Sequence, residues 1–345
     1  MSTEPVNADV AIIGAGPVGL FAIFECGMLR MTCHVFDVLD VAGGQCMALY
    51  PEKPIFDIPG HPRILAADLV ERLQEQAAPF KPVFHLGRQV TGLGAEASGR
   101  WRVESADGAA VSAAAVIVAA GVGAFGPNRP PLDGIERFEG QGAGRGVHYL
   151  VSRREDFRGR RVVIAGGGDS AVDWALSLAD AGAHVCVVHR RPKFRAAPES
   201  VRRLHGLAAA GLIELAIPFQ LHGLEAGEGG NLGAVIVQDL DGGARRLEAD
   251  VLLPFFGLSQ NLGPIADWGL NLHRNHVEID PATCAAGQPG IFAIGDIATY
   301  PGKLKLILTG FAEAAAAAHA VFPLVHPGEA LHFEYSTTKG LPAAP

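Results

Sequence analysis

No two of the five cysteines, Cys26, Cys33, Cys46, Cys186 and Cys284, form a C-x-x-C pair. The common dithiol-redox and zinc-site signatures are therefore absent. Positive charge is also scarce. Twenty-eight Lys and Arg against 36 Asp and Glu leave a net charge of −8, which argues against bulk nucleic-acid binding. The opening MSTEPVNADV has no basic region followed by an apolar run, so no signal peptide is expected. The longest apolar stretch, VSAAAVIVAAGVGAF (111–125), is short for a membrane span and broken by glycines; it predicts a buried strand. Buried, reduced thiols and no leader predict a cytoplasmic protein with no membrane or nucleic-acid partner.

Glycine is abundant, with 44 residues in 345, and suits many tight strand-to-helix turns. At about 150 residues per domain, the length suggests roughly two domains. DVAII (9–13) reads as a buried parallel strand, Gly14-Ala15-Gly16-Pro17-Val18-Gly19 as a turn, and LFAIFECGML as a helix. CHVFDV (33–38) closes a β-α-β unit of about thirty residues. The segment 65–80 predicts an amphipathic helix, and 306–325 an alanine-rich one.

A second unit, VVIAGGG followed by a helix from about Ser170 and the strand HVCVVH (184–189), repeats the first. Gly14 and Gly166 are 152 positions apart (166 − 14). Both loops have the context a dinucleotide needs. Glycines let the backbone approach a pyrophosphate, and the following helix offers free N–H groups. In the first loop Gly14, Gly16 and Gly19 carry the pattern. In the second it falls on Gly166, Gly168, Asp169 and Ser170.

The residue after the second strand separates the two loops. In the first unit it is Asp37, a carboxylate able to accept ribose hydroxyls. Adding 152 gives His189, followed by Arg190 and Arg191, with Arg195 close behind. Arginines suit a ribose bearing a 2′-phosphate, at roughly 1.5–3 kcal/mol per charge-assisted bond. The first site thus suits FAD or NAD, and the second NADPH. Two dinucleotides in one chain imply hydride transfer from nicotinamide to flavin, which makes the first FAD. PGIFAIGDIA (289–298) fits this reading, since Asp296 can approach ribityl hydroxyls. The helix after it can point its N-terminus at the flavin pyrimidine.

Together the two loops, HRR-x-x-x-R and G-x-F-A-I-G-D resemble the flavoproteins of the thioredoxin reductase type. Those enzymes carry C-x-x-C just before the second loop, where this chain has GVHYLVSRREDFRGRR (146–161) and no cysteine. With VAGGQCMALYPEKPIFDIPG (41–60) and EYSTTKG (334–340), the chain resembles the thioredoxin-reductase-like ferredoxin–NADP reductases along nearly its whole length. The resemblance implies an α/β fold of two Rossmann-like domains. The NADPH domain (124–288) is inserted in a discontinuous FAD domain (1–123 and 289–345), with GVGAFGPNRPP (121–131) as hinge. It also implies FAD contacts at Asp37, Gln45, Tyr50, Val90, Phe125, Asp296 and Thr337, and a homodimer. Tyr50 and Tyr335 are expected to stack on the two flavin faces.

The expected activity passes a hydride from NADPH to flavin N5 and single electrons onward to a ferredoxin or flavodoxin. The flavin performs the chemistry, so no protein group is assigned as catalytic and no metal is expected. Arg63, Lys53, Arg153 and Arg154 are candidates for a cationic carrier dock. The rival readings are a thiol-dependent reductase using a partner's cysteines, an NADPH oxidase or monooxygenase, and a non-catalytic redox sensor.

Overall fold

The computed structural model describes residues 5–140, 145–331 and 340. The chain divides into two compact units, 1–125 with 260–345, and 126–259.

The first unit begins with strand β1 (Val6–Ile13), helix α1 (Pro17–Met28) and strand β2 (Cys33–Phe36). Helices α2 (Gly44–Leu49) and α3 (Ala66–Ala77) follow. Strands β3 (Val83–His85), β4 (Val90–Ala95), β5 (Trp101–Ser105) and β6 (Ala110–Val118) complete this pass of the chain. The order β3-β2-β1-β6 is parallel throughout. Such strands are covered on both faces, which is why β1 and β6 read as continuous apolar runs. The stretch 111–125 expected as a strand is therefore one, ending at Val118. The first half of β6 also pairs antiparallel with β5, which continues to β4.

The second unit contains β7 (Arg161–Ala165), α4 (Asp169–Asp180), β8 (His184–Val188), α5 (Pro198–Ala209) and β9 (Ile213–Ala216). An antiparallel sheet of β10 (Gln220–Ala226), β11 (Leu232–Gln238) and β12 (Ala244–Glu248) precedes β13 (Val251–Pro254). The parallel order is β9-β8-β7-β13. The offset of 152 holds to the residue: α1 starts at Pro17 and α4 at Asp169, and both are 12 residues long. Each unit is thus a Rossmann-like parallel sheet with antiparallel strands added, two on the edge of the first sheet and a separate three-stranded sheet in the second unit.

The chain then returns to the first unit. Strand β14 (Ile291–Ala293) lies parallel to the second half of β6, and helix α6 (Ile307–Val325) ends the described fold. The return comes earlier than the expected Pro289. Residues 260–288 belong to the first unit, because Leu262, Ile265, Trp268, Val277 and Cys284 are buried in its core. Helix α6 is 19 residues long and apolar, and it serves as a core helix. Its small residues let it lie against α1; a Cβ added at Gly310 would fall 2.3 Å from Val18.

Candidate functional site

The first glycine loop is shaped by close approaches. Gly14 has φ +111°, and a Cβ there would meet the Ala119 carbonyl oxygen at 2.3 Å. At Gly19 it would meet the Gly14 carbonyl oxygen at 1.9 Å. Gly16 differs, since nothing lies within 4 Å of the Cβ position. That side of the loop is open and faces a cleft of about 320 Å³. The volume is in the range of small-molecule sites.

Of the residues expected at the first cofactor, Gly14, Gly16, Asp37, Gln45, Tyr50, Val90 and Asp296 all line this one cleft. Gly19 does not line it; its part is the tight packing just described. Asp37 stands at the end of β2, only 8% exposed. Its Oδ2 accepts the Ala15 N–H at 2.6 Å and its Oδ1 the Leu39 N–H at 2.9 Å. Each carboxylate oxygen keeps a further lone pair for a ligand. Burial pushes the Asp37 carboxyl above the usual range, against the N–H groups of Leu39, Ala15 and Val38.

Gly43 and Gly44, both at positive φ, start α2 and place Gln45 near the cleft. The Gly43 N–H donates to the Ala15 carbonyl at 2.8 Å, tying this turn to the first loop. Tyr50 ends α2, and Lys53 Nζ lies 5.8 Å from its ring centroid. Burial raises the Tyr50 phenol above its ordinary value. Asp296 sits in the turn Gly295–Ile297 between β14 and α6. Leu306 and Ile307, at the start of α6, line the cleft as well. Phe125 lies in the extended segment Ala124–Pro127, and its side chain falls outside the described residues. Thr337 and Tyr335 also lie outside them.

Arg88, Gln89, Leu262, Ile265 and Trp268 line the cleft without having been expected there. Trp268 is the most informative. Its Nε1 is buried and has no hydrogen-bond partner in the described structure. Buried donors are normally paired, so this indole N–H is an exception, and it is closed to the cleft that the rest of the ring lines.

The second loop has its own arrangement. Gly166 has φ +157°, and a Cβ there would lie 2.8 Å from the Phe255 carbonyl oxygen. Gly168 precedes α4, which starts at Asp169 and Ser170. The His189 ring packs on Gly167, where a Cβ would come within 2.1 Å of it. Phe194 stacks on that ring, with centroids 5.1 Å apart. The Arg195 N–H donates to the Gly167 carbonyl at 2.7 Å, and Asp169 Oδ1 accepts the Ala197 N–H at 2.8 Å. The basic segment is thereby folded back onto the glycine loop. Arg190, Arg191 and Arg195 are exposed there.

His189 itself adds no cation where the first unit has Asp37. It is 8% exposed, and burial lowers its pKa, helped by the three arginines. The positive charge of this segment belongs to Arg190, Arg191, Lys193 and Arg195.

The thiols are poorly suited to relay electrons. All five are free and buried. Burial pushes the Cys46 thiol, on the cleft wall, up to about 11, and those of Cys186 and Cys284 up to about 12. Cys33 is raised by its hydrogen bond with Cys26 and by burial. Thiols in this state are not nucleophiles at neutral pH.

Comparison with known proteins agrees with this geometry. A family model described as pyridine nucleotide-disulphide oxidoreductase matches residues 8–319. The ferredoxin–NADP reductase of Paramagnetospirillum magneticum is 65% identical over 336 residues, 97% of this chain and 98% of that one. That of Rhodospirillum rubrum is 61% identical over 346 residues, 99% of each chain. The thioredoxin reductase of Lactococcus lactis shares the fold, with a TM-score of 0.77 at 24% identity, covering 92% of this chain and 99% of that one. Matched by the family model over most of its length, and by these relatives from end to end, this chain belongs to the pyridine nucleotide-disulphide oxidoreductase family, among its ferredoxin–NADP reductases.

Proposed function

We propose that the chain is an FAD-dependent ferredoxin–NADP reductase that carries electrons from NADPH to a one-electron carrier. The observation that carries this reading is the exchange of Asp37 for His189-Arg190-Arg191 between two matching loops, in a chain whose cleft holds no thiol pair. Ferredoxin is the carrier in the names of the relatives. A flavodoxin is the second acceptor of the same chemistry.

The cleft residues fit FAD. The open side of Gly16 admits a pyrophosphate, the Asp37 carboxylate stands at the cleft wall, and the cleft mixes apolar walls with a few polar groups. In this reading Gly14, Gly16 and the N-terminus of α1 hold the pyrophosphate. Asp37 accepts ribose hydroxyls, and Val90 covers the adenosine end. Gln45, Tyr50 and Asp296 hold the ribityl and ring end, with Phe125 and Thr337 completing the set. Bound FAD supplies a group that takes up a hydride from NADPH and releases electrons singly. Gly166, Gly168, Asp169 and Ser170 hold the NADPH pyrophosphate, and Arg190, Arg191 and Arg195 its 2′-phosphate. Units 1–125 with 260–345 and 126–259 are then the FAD and NADPH domains. Five free thiols suit a reducing compartment, which supports a cytoplasmic location. A homodimer follows from the family resemblance.

Anaerobic titration of the FAD-loaded protein with NADPH tests this. One equivalent of NADPH should bleach the flavin, NADH should do so far more slowly, and oxidised ferredoxin should restore the colour. Flavin that NADPH leaves oxidised contradicts the reading. Rapid NADPH consumption in air without a carrier supports an oxidase instead.

A further inference from the structure

The cleft of the first unit has a rim that runs from its lining out to solvent. The turn at 272–278 and the loop at 298–306 meet there. Val277 and Glu278 pair in parallel with Ala298 and Thr299. Lys305 Nζ lies 2.8 Å from His276 Nε2, and His276 Nδ1 lies 2.8 Å from the Arg274 carbonyl oxygen. These contacts set Lys305 beside His276, two residues from Arg274, in a turn that also carries the exposed Glu278, 4.0 Å from His273. Arg274 and Lys305 are both exposed.

The same loop presents apolar side chains to solvent. Leu304 is 62% exposed, and Leu306 and Leu308 are exposed too. From Ala298 to Ala312 the sequence has no acidic residue. The other cation of the loop, Lys303, is turned into the core against Glu313. Leucines bordered by cations are unusual on a chain of net charge −8. Exposed apolar anchors with a charged rim are the anatomy of a protein interface.

Lys305, Leu306 and Ile307 line the cleft itself, next to Gly295 and Asp296. A protein seated on this rim therefore comes to the edge of the cofactor cleft. The sign of the rim selects the partner. A second copy of this chain brought up about a two-fold axis through this rim would set cations near cations. An acidic protein is attracted, and electrostatic attraction chiefly raises the rate of encounter. Of the arginines singled out from sequence, Arg154 lies 3.8 Å from Asp180, and Arg63 shares a surface depression with Asp68 and Arg72 away from the cofactor cleft.

We propose that the rim formed by Arg274, His276, Leu304, Lys305 and Leu308 is the docking surface for a small acidic one-electron carrier. The proposal rests on the functional reading above, and it adds the place where the carrier binds.

The test uses the full, FAD-loaded protein with Leu304→Asp and Arg274→Glu, neither of which lines the cleft. NADPH-driven reduction of an acidic ferredoxin is measured beside reduction of ferricyanide, which needs no protein dock. Leu304→Asp should lower kcat/KM for ferredoxin about tenfold. Arg274→Glu should lower it about fivefold at low salt, and added salt should erase much of that difference. Ferricyanide rates should match wild type in both. Unchanged kcat/KM for ferredoxin in both variants overturns the docking surface alone. If Leu304→Asp changes the sedimentation of the protein and leaves ferredoxin kinetics untouched, the rim joins copies of the chain and the proposal is overturned. A wild-type enzyme that reduces ferricyanide but no carrier overturns the functional reading, and the docking surface with it.

Discussion

The carboxylate of Glu313 reaches from α6 to accept the backbone N–H of Gly295 at 2.8 Å. The same carboxylate accepts the Tyr300 hydroxyl at 2.8 Å and pairs with Lys303, both charged side chains being only 5% exposed. Gly295 has φ +74° and immediately precedes Asp296. One buried ion pair thus fixes the turn that carries a cleft residue. Glu313→Ala leaves the Lys303 ammonium buried and unpaired, so it should cost roughly 3–5 kcal/mol of stability. It should also weaken FAD binding by loosening the turn. Denaturant unfolding and FAD titration check both; an alanine variant as stable as wild type would contradict the role given to the pair.

The second site makes a prediction about nucleotide choice. Arg190→Ala and Arg191→Ala should each raise the KM for NADPH about tenfold or more. The KM for NADH, which lacks the 2′-phosphate, should hardly move. His189→Ala should behave differently, because its neutral ring packs on Gly167 and supplies no charge. Equal effects of the arginine changes on NADPH and NADH would refute the assignment.

A pH dependence follows from the histidine pair on β2 and β3. His34 Nδ1 lies 3.0 Å from His85 Nε2, and His85 stacks on Phe36. Arg88 and, beyond it, Asp107 complete the local charges. Burial lowers both histidines below the usual 6.5, with each other's charge adding to the effect on His85. Above 6.5 both states of the protein hold them neutral, and their packing contributes fully. As pH falls below 6.5 the unfolded chain takes up protons first, so stability falls. Urea unfolding of the FAD-free protein should show this loss, and a His34→Asn/His85→Asn variant should show a shallower one. Identical slopes for the two proteins would contradict it.

Much of the fold was readable because the duplication is so regular. The glycine loops, the 12-residue helices after them and the exchange of Asp37 for His189 all follow from one offset. What escaped has physical reasons. Residues 260–288 form short turns and two-residue pairings with no sustained period, so nothing local marks their return to the first core. Trp268 was hidden for that reason. Glu313 stands in an alanine run that reads as plain helix chemistry, and only the packed structure reveals the buried Lys303 opposite it. The packing of His189 on Gly167 could not be read either, because a sequence shows a residue's type and not its burial.

The most direct test of the central claim is NADPH-driven reduction of cytochrome c by the FAD-loaded enzyme, with and without added ferredoxin or flavodoxin. The account predicts strong stimulation by the carrier, retained when all five cysteines are replaced by serine or alanine in a variant that still folds. Absence of stimulation by any ferredoxin or flavodoxin would contradict it.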